Sequence, residues 1–291
     1  MPTDIDAAPG PGPDVTVARS LLFVPGDRSD RFDKAAASGA DLVVCDLEDA
    51  VAADHKATAR EEVVRWLSGR GAACVRINAA DTGWYEGDWE ALAGLPGLRA
   101  VMVAKAEDPQ KLTDLSEALG GRTPVVALIE TALGVHRAFE IARAQGVSRL
   151  AFGAIDFAFD IAASDDDSAL LYARSTLVLK SRAARISPPI DGVTTTLDAP
   201  AAKADAAKAR QLGFGGKLCV HPRQVAAVNA AFTPSAEQVR QAGRVVTSLR
   251  GGAVAQLDGQ MIDKPVVDRA RTVLLRAQLL GAPSPHEEER P

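Results

Sequence analysis

Several carboxylates stand directly after short apolar runs, and their types and positions suit metal-ion chemistry. Asp46, Glu48 and Asp49 place three carboxylates in four residues after one such run, and Glu130 and Asp156 follow two others. Carboxylates brought together at one edge repel each other unless a cation or protons neutralise them. An oxygen-only set without clustered His or Cys suits a hard ion such as Mg2+. We therefore predict that Glu130 and Asp156 bind one Mg2+, with the other three carboxylates around them.

Arg76 is the cation best suited to contact an anionic substrate. Its planar guanidinium can bind a carboxylate or an enolate oxygen through two N–H groups. The alternative is an ion pair with Asp46 or Glu48, and one guanidinium can serve both purposes. Asp49 has an alternative as well, since a carboxylate there can cap a helix that begins near Ala50.

Two further polar side chains are weaker candidates for catalysis. Lys105 follows the fourth apolar run and is the one strand-end lysine before the eighth repeat, so a Schiff-base mechanism would depend on it. We do not favour that mechanism. His221 precedes Pro222, which is typical of a helix start, and we interpret it as a structural histidine.

The elements that position these residues alternate along the chain. Short β-branched runs bounded by turn residues predict buried strands, and stretches rich in Ala, Glu, Lys and Arg predict helices. The predicted strands are Ser20–Val24, Leu42–Cys45, Cys74–Ile77, Ala100–Val103, Val125–Ile129, Leu150–Phe152 and Leu218–Val220, with a weaker candidate at Ile190–Val193. The predicted helices are Asp54–Leu67, Asp108–Leu119, Leu133–Ala144, Ala169–Arg185, Pro200–Leu212, Pro222–Ala231, Pro234–Leu249 and Met261–Leu280.

A strand followed by a helix every ~25–30 residues indicates right-handed βαβ units and a parallel sheet. Eight units in about 230 residues fit a closed (β/α)8 TIM barrel better than the alternative, an open doubly wound sheet. The first strand–helix turn also lacks the glycine spacing of a dinucleotide fingerprint. In a barrel, the residues that end the strands converge on one mouth.

Composition divides the chain into four segments. Residues 1–17 are rich in Pro, Gly, Ala and Asp without periodicity, which predicts a disordered arm, and residues 283–291 predict a disordered tail. Residues 18–250 contain the barrel with its following helices. Residues 251–282 exceed what a barrel needs and are expected to form a C-terminal lid and helix.

The overall composition excludes several classes of protein. Apolar residues make up 47% and charged residues 24%, as in ordinary globular proteins. The net charge of −5 and the lack of any Lys/Arg block argue against nucleic-acid binding. Without an apolar stretch of ~18 residues or a signal peptide, we expect a cytoplasmic protein without membrane attachment. Cys45, Cys74 and Cys219 lie singly in apolar runs and are expected to be small core side chains.

Seven short motifs occur in order over about residues 19–280. They are Arg19-Ser-Leu-Leu-Phe-Val-Pro-Gly26, Asp46-Leu-Glu-Asp-Ala-Val51, Val75-Arg-Ile-Asn78, Ala127-Leu-Ile-Glu130-Thr131, Phe152-Gly-Ala-Ile-Asp156, Gly213-Phe-Gly-Gly-Lys-Leu-Cys-Val-His-Pro222 and Met261-Ile-Asp-Lys-Pro265. Together they resemble the citrate lyase β-subunit family, which includes malyl-CoA and citramalyl-CoA lyases among the Mg-dependent aldolases.

The resemblance implies Mg2+ bound by Glu130 and Asp156 at a barrel mouth, with Arg76 on the substrate's acyl oxygen. The expected reaction is cleavage or formation of a 3-hydroxyacyl thioester such as citramalyl-CoA, malyl-CoA or a citryl thioester. Its products are an acetyl thioester and a 2-oxo acid. Bound Mg2+ would lower the pKa of the substrate hydroxyl, and Arg76 would offset the charge of the enolate that leaves.

The same resemblance assigns residues outside the metal site. Phe23, Arg28 and Lys34 match positions that hold the CoA part of the substrate around the first strand–helix turn. Asp263 matches an acid in a C-terminal lid that enters the neighbouring subunit's site and exchanges a proton with carbon. Homo-oligomers, often trimers or hexamers, are expected from such a lid.

Several functions stay open on the sequence alone. One chain cannot separate a stand-alone CoA lyase from citrate lyase, which acts on an acyl-carrier-protein thioester with α and γ partner subunits. A second possibility is an aldolase acting on free 2-hydroxy or 2-oxo diacids without CoA. A third is a catalytically weak binding or regulatory homologue, against which the presence of Arg76, Glu130, Asp156 and Asp263 argues.

Overall fold

A computed structural model describes residues 14–248, 255–257 and 260–280. The chain forms two compact units that meet in sequence between Ala230 and Ala231. Most of the predicted N-terminal arm, all of the predicted tail and part of the predicted lid lie outside the described residues. None of the helices in the described ranges is long and apolar enough to cross a membrane.

The first unit is a closed barrel of eight parallel strands, which confirms the predicted (β/α)8 fold. Each strand pairs with the next, and β8 pairs with β1 through registers such as Leu21↔Leu218. The weak candidate for the seventh strand is present as a two-residue strand. The strands are β1 Ser20–Pro25, β2 Leu42–Asp46, β3 Ala73–Ile77, β4 Leu98–Val103, β5 Val125–Ile129, β6 Val147–Phe152, β7 Ile190–Asp191 and β8 Gly216–Cys219.

Helices follow the strands of the barrel. They are α1 Phe32–Ala36, α2 Lys56–Ser68, α3 Tyr85–Leu92, α4 Pro109–Ala118, α5 Ala132–His136, α6 Ala138–Arg143, α7 Ala154–Asp160, α8 Asp167–Ala184, α9 Ala199–Leu212 and α10 Pro222–Phe232. The α9 helix starts at the capping side chain of Asp198 and ends at Gly213, whose φ of +106° is a left-handed conformation that glycine adopts freely.

One predicted helix, Leu133–Ala144, is divided in the structure. Thr131 caps α5, and Arg137, with φ −92° and ψ 11°, separates α5 from α6. The single apolar periodicity of this stretch did not reveal the break.

Alternate strand residues fill the barrel interior. Leu21, Val44, Cys74, Met102 and Leu128 come from five successive strands and belong to one buried cluster. Because successive side chains of a strand point to opposite faces, the residues between them face the surrounding helices. All three cysteines are free and buried, as predicted.

The chain enters the barrel through a turn at residues 14–18. Val15 is 2% exposed and belongs to the interior cluster, although composition had placed it in the arm. Arg149, buried on β6, donates hydrogen bonds to the carbonyl oxygens of Val15 and Ala18 at 2.9 and 2.8 Å. These bonds fix the turn where the strands begin, at the end of the barrel away from the mouth.

Among its described residues, the second unit has two helices and a short hairpin. Helix α11 is Ala236–Ser248, the antiparallel strands are β9 Ala255–Leu257 and β10 Gln260–Ile262, and α12 is Lys264–Leu279. Ala242, Val245 and Ile262 pack with Val267 and Ala270 in a small core of this unit. The predicted helix Met261–Leu280 therefore begins later, because its first two residues pair with β9 instead.

Candidate functional site

Arg76 lies at the end of β3 and forms a buried, two-point ion pair with Asp46 at the end of β2. Its Nε and Nη2 atoms lie 2.7 and 2.6 Å from the two oxygens of Asp46. The Phe23 ring covers the guanidinium, with Cζ 4.8 Å from the ring centre. The ion-pair interpretation of Arg76 is thus correct. Asp46 therefore occupies Nε and Nη2, and Nη1 faces Glu48 at 3.0 Å.

Glu48 bridges two cations at the mouth. Its Oε2 lies 3.0 Å from Nη1 of Arg76, and its Oε1 lies 2.8 Å from the ammonium of Lys105. Burial by itself would raise the pKa of Glu48, but the two cations outweigh burial and lower it. Glu48 is therefore held as a carboxylate between the third and fourth strands.

Asp46, rather than Asp49, organises the turn after β2. Its oxygens accept hydrogen bonds from the backbone N–H groups of Glu48 and Ala50 at 2.9 and 3.2 Å. Helix α2 begins only at Lys56 and has no side-chain cap, so the capping role considered for Asp49 is wrong. The Asp49 side chain is half exposed, 3.8 Å from Arg76, and burial together with the charge of Glu48 raises its pKa to about 6.

Lys56, a buried lysine that the sequence did not reveal, stabilises the turn after β2. Lys56 donates to the carbonyl oxygens of Leu47 and Glu48, both at 2.8 Å, and to Oδ1 of Asn78 at 2.7 Å. Asn78 in turn donates to Asp88 at 2.6 Å. A lysine within a helical stretch carries no pattern that distinguishes it from a solvated one, so the sequence offered no signal.

Glu130 follows β5 and is almost completely buried, at 1% exposure. Its Oε1 accepts a hydrogen bond of 2.7 Å from the backbone N–H of Lys105. Its Oε2 has no hydrogen-bond partner among the residues that the structure describes. Burial, with the negative charges of Glu48 and Asp156, raises the pKa of Glu130 to about 8.

Asp156 lies in the first turn of α7, close enough to Glu130 for its charge to raise the pKa of that carboxyl. Gly153, which connects β6 to α7, allows this approach. A Cβ atom at Gly153 would overlap Oε2 of Glu130 and lie 2.5 Å from its Cβ. The charge of Asp156 thus acts on Glu130, although Asp156 is helical rather than strand-terminal.

A buried, unpartnered carboxylate oxygen beside a second carboxylate fits a divalent cation. Across the described ranges, no group of three or more His, Cys, Asp or Glu side chains is arranged to hold a metal. Mg2+ does not require such a group, because it usually binds through one or two carboxylates and completes its shell with water and substrate oxygens. The orphaned Oε2 of Glu130 is the observation that favours an ion here.

The predicted substrate-binding residues of the first strand–helix turn are divided between two environments. Phe23 packs under Arg76 and partly within the barrel core. Arg28 is near the surface, paired with Asp30 at 2.9 Å, and Lys34 is exposed on α1. His221 accepts a hydrogen bond from the backbone N–H of Arg223 at the start of α10, in agreement with a structural role.

Asp263 belongs to the second compact unit. It is the N-terminal cap of α12, where its carboxylate accepts a hydrogen bond of 3.2 Å from the backbone N–H of Val266. Pro265 occupies the first turn of that helix, a position where proline is well tolerated.

Comparison with known proteins identifies the relatives of this chain. Residues 19–222 match the HpcH/HpaI aldolase/citrate lyase family, and residues 193–282 match a family described as carbon–carbon bond lyases of the TIM-barrel fold. A citrate lyase subunit β-like protein from Deinococcus radiodurans is 36% identical over 88% of this chain and 96% of its own length. A (3S)-malyl-CoA thioesterase from Cereibacter sphaeroides is 32% identical over 91% of this chain and 96% of its own length.

The structural comparison leads to the same group. The crystal structure of CitE from Mycobacterium tuberculosis, in complex with magnesium, acetoacetate and coenzyme A, has a TM-score of 0.78 and 35% sequence identity. The match covers 91% of this chain and all of that one. A second crystal structure, RipC from Yersinia pestis, has a TM-score of 0.69 and 30% identity, over 78% of this chain and all of that one.

Proposed function

The chain belongs to the HpcH/HpaI aldolase/citrate lyase family and is a carbon–carbon lyase, and from this premise we propose that it acts on a 3-hydroxyacyl thioester with Mg2+. The substrate would carry a carboxylate beside the hydroxyl, as in malyl-CoA, citramalyl-CoA or a citryl thioester. Relatives named for citrate lyase and for malyl-CoA, and a neighbour crystallised with magnesium and coenzyme A, support this substrate class.

The observation that carries the proposal is the buried Glu130 with its unpartnered Oε2. We assign Glu130 and Asp156 as the residues that hold Mg2+. When bound, the ion would make the substrate hydroxyl more acidic and stabilise the carbonyl that forms from it. Oε1 of Glu130 stays on the backbone N–H of Lys105, so the carboxylate is oriented before any ion arrives.

Cleavage breaks the bond between the hydroxyl-bearing carbon and the carbon next to the thioester. The hydroxyl loses its proton to solvent, its electrons form the carbonyl of the 2-oxo acid, and the bond pair enters a thioester enolate. Arg76 would offset that charge with its guanidinium group, whose plane is fixed by Asp46. Asp46, Glu48 and Asp49 act by positioning the cations Arg76 and Lys105.

The enolate must then receive a proton on carbon, and we assign this step to Asp263. In the condensation direction the same carboxylate would remove the proton. Because Asp263 lies in the second unit, we propose that it reaches the mouth of a neighbouring subunit in a homotrimer or homohexamer. Phe23, Arg28 and Lys34 are assigned to the CoA side of the same mouth, where cations near the surface can meet phosphate groups.

Mixing two inactive variants tests the role of Asp263. Asp263→Ala chains and Glu130→Gln chains should recover activity after subunit exchange, because some mixed sites then contain both intact groups. Recovery is expected only if Asp263 acts in a neighbouring subunit. Exchange demonstrated by mass spectrometry without recovery would leave Asp263 as a helix cap or as a group acting within its own chain.

The direct test is turnover of malyl-CoA, citramalyl-CoA and citryl-CoA, each with Mg2+ and with EDTA. A lyase releases acetyl-CoA and a 2-oxo acid, and both should appear at equal rates only when Mg2+ is present. Hydrolysis to free CoA is the second candidate, favoured by the relatives named malyl-CoA thioesterase. Turnover that is equal in EDTA would overturn the metal assignment. Turnover of free 2-hydroxy diacids alone would overturn the assignment of a thioester substrate.

A further inference from the structure

Lys105 contacts two carboxylates of the mouth, Glu130 and Glu48, through two different groups. Its backbone N–H donates to Oε1 of Glu130 at 2.7 Å, and its ammonium lies 2.8 Å from Oε1 of Glu48. Glu48 in turn contacts Arg76 at 3.0 Å. Lys105 is therefore the link between the half of the mouth that contains Arg76 and the half that contains Glu130.

The backbone of Lys105 has an unusual conformation that makes the first contact possible. Its φ of +46° lies in the left-handed region, which is unfavourable for a residue with a Cβ atom and is found where the surrounding structure enforces it. The two neighbours are anchored, since Ala104 and Ala106 are buried and their N–H groups donate to Ile77 and Leu128 of the adjacent strands. The left-handed turn between them directs the N–H of Lys105 at Glu130.

The side chain supplies the second contact. The ammonium sits at the open mouth with 40% of the side chain exposed, whereas Glu48 is buried. Burial alone would lower the pKa of Lys105, but Glu48 and other carboxylates raise it to about 12. A permanently charged, paired ammonium is unsuited to forming a Schiff base, so its role at the mouth must be a different one.

We propose that Lys105 is a positioning residue that sets Glu130 and Glu48 apart, with the amide fixing one carboxylate and the ammonium fixing the other. Glu130 then keeps Oε2 as its open oxygen, and Glu48 stays on Arg76 instead of moving toward Glu130. The inference rests on the proposed function, because it assigns Oε2 to the ion and Arg76 to the acyl oxygen. Lys105 itself acts on the reacting groups only through these two carboxylates.

Four substitutions separate the two contacts. Lys105→Met removes the ammonium and keeps a long side chain, and Lys105→Arg keeps a cation. Lys105→Gly removes the ammonium but adopts the left-handed conformation freely, whereas Lys105→Ala removes the ammonium and keeps the strain. Arg185→Gly is the matched control, since Arg185 has φ +62° at the exposed end of α8, away from the mouth.

We expect kcat to fall at least ~10-fold in the Met and Gly variants, with recovery to within about threefold of the parent in the Arg variant. Calorimetry of the substrate-free protein should give a Mg2+ Kd within about threefold of the parent for Gly, because the amide contact survives. The Ala variant should bind Mg2+ more weakly than the Gly variant, because its strain is no longer opposed by the ion pair. Arg185→Gly should change neither quantity.

Each result decides a stated part of the proposal. Parent-like kcat in the Met and Gly variants would refute the ammonium's role, and equal Mg2+ affinity in the Ala and Gly variants would refute the backbone's role. If either the Met or the Gly variant fails to fold, the other still removes the ammonium and tests its role. A parent protein that neither binds Mg2+ nor turns over a thioester would instead refute the proposed function, and the two failures are thus distinguishable.

Discussion

Two of the buried ionic clusters of the barrel differ in one respect. At the mouth, Glu130 has one oxygen on a backbone N–H and another without a partner in the described structure. Between β7, β8 and α8, Asp191 has both oxygens occupied, by Lys217 at 2.9 Å and by Arg174 at 3.1 Å. We call the second set the wall cluster.

We interpret this difference as one between a charge kept for the proposed function and a charge kept for structure. Lys217 is 1% exposed, and its ammonium also donates to the carbonyl oxygen of Gly192. The wall cluster is therefore satisfied, and it ties the two-residue strand β7 to its neighbours where few ladder hydrogen bonds exist. At the mouth, by contrast, burial raises the pKa of Glu130. Burying this carboxyl costs free energy of folding, and a structural role does not explain that cost.

The strongest test of this contrast is Glu130→Gln. Turnover should fall by ~10^3-fold or more, and calorimetry should detect no Mg2+ binding, because an amide is a poor ligand for a hard ion. The metal-free protein should lose no thermal stability, since a neutral side chain replaces a carboxyl that burial already disfavours. Exposed Glu117→Gln on α4 is the control. Unchanged Mg2+ affinity in Glu130→Gln would show that the ion binds elsewhere.

The corresponding change in the wall cluster should have the reverse effect. Lys217→Met leaves Asp191 with Arg174 alone and is expected to cost about 3 kcal/mol of unfolding free energy in denaturant titrations. Turnover per folded molecule should stay at the parent value. Lys208→Met is the control, because Lys208 pairs with Asp167 at the surface and its removal should cost less than ~1 kcal/mol. A large loss of turnover in folded Lys217→Met would contradict the distinction between the mouth and the wall cluster.

The sequence predicted the mouth better than the wall because the mouth residues end strands. Asp46, Arg76 and Glu130 follow apolar runs, and the closure of a barrel brings such residues together whatever their side-chain contacts. Asp191 and Lys217 lie within the short strands β7 and β8 and face away from the barrel interior. From the sequence alone, a single charge at such a position is expected to be exposed to solvent. Their pairing depends on the register of β7 with β8, which no local pattern contains.

Contacts made by the backbone were also invisible to the sequence. The sequence around Lys105 does not predict its φ of +46° or the hydrogen bond from its N–H to Glu130. The buried neighbours of Lys105 impose this conformation. The break at Arg137 and the short strand at Met261 were missed for a related reason, since pairing and capping overrode a helical pattern. The boundaries of regular strands depended on local composition and were predicted to within a few residues.

A substitution beside Glu130, the proposed metal ligand, tests the mouth without changing its charges. Gly153→Ala places a Cβ atom against Glu130 and should weaken Mg2+ binding by ~10–100-fold, because the carboxylate must move from its hydrogen bond. Gly83→Ala is the matched control, since a Cβ atom there meets nothing within 4 Å. Parent-like Mg2+ affinity in Gly153→Ala would show that the position of Glu130 is not critical.

The last test of the contrast is a pH dependence of stability in the metal-free protein. The pKa of Glu130 is about 8 in the fold, raised chiefly by burial, against an ordinary value of 4.5. The folded state therefore holds one proton more than the unfolded state between these values. Stability from this group is complete below about pH 4.5 and is lost as pH rises toward 8, at no more than ~1.4 kcal/mol per pH unit.

Urea titrations in EDTA from pH 5 to 8 measure this slope against that of Glu130→Gln, which lacks the proton. The difference between parent and variant should grow in the variant's favour as pH rises, and saturating Mg2+ should reverse it by binding the ionised carboxylate of the parent. Lys217→Met should run parallel to the parent, because this substitution leaves Glu130 unchanged. Parallel curves for the parent and Glu130→Gln would mean that Glu130 is ionised in the metal-free fold, and the contrast between the two clusters would then rest on hydrogen bonding alone.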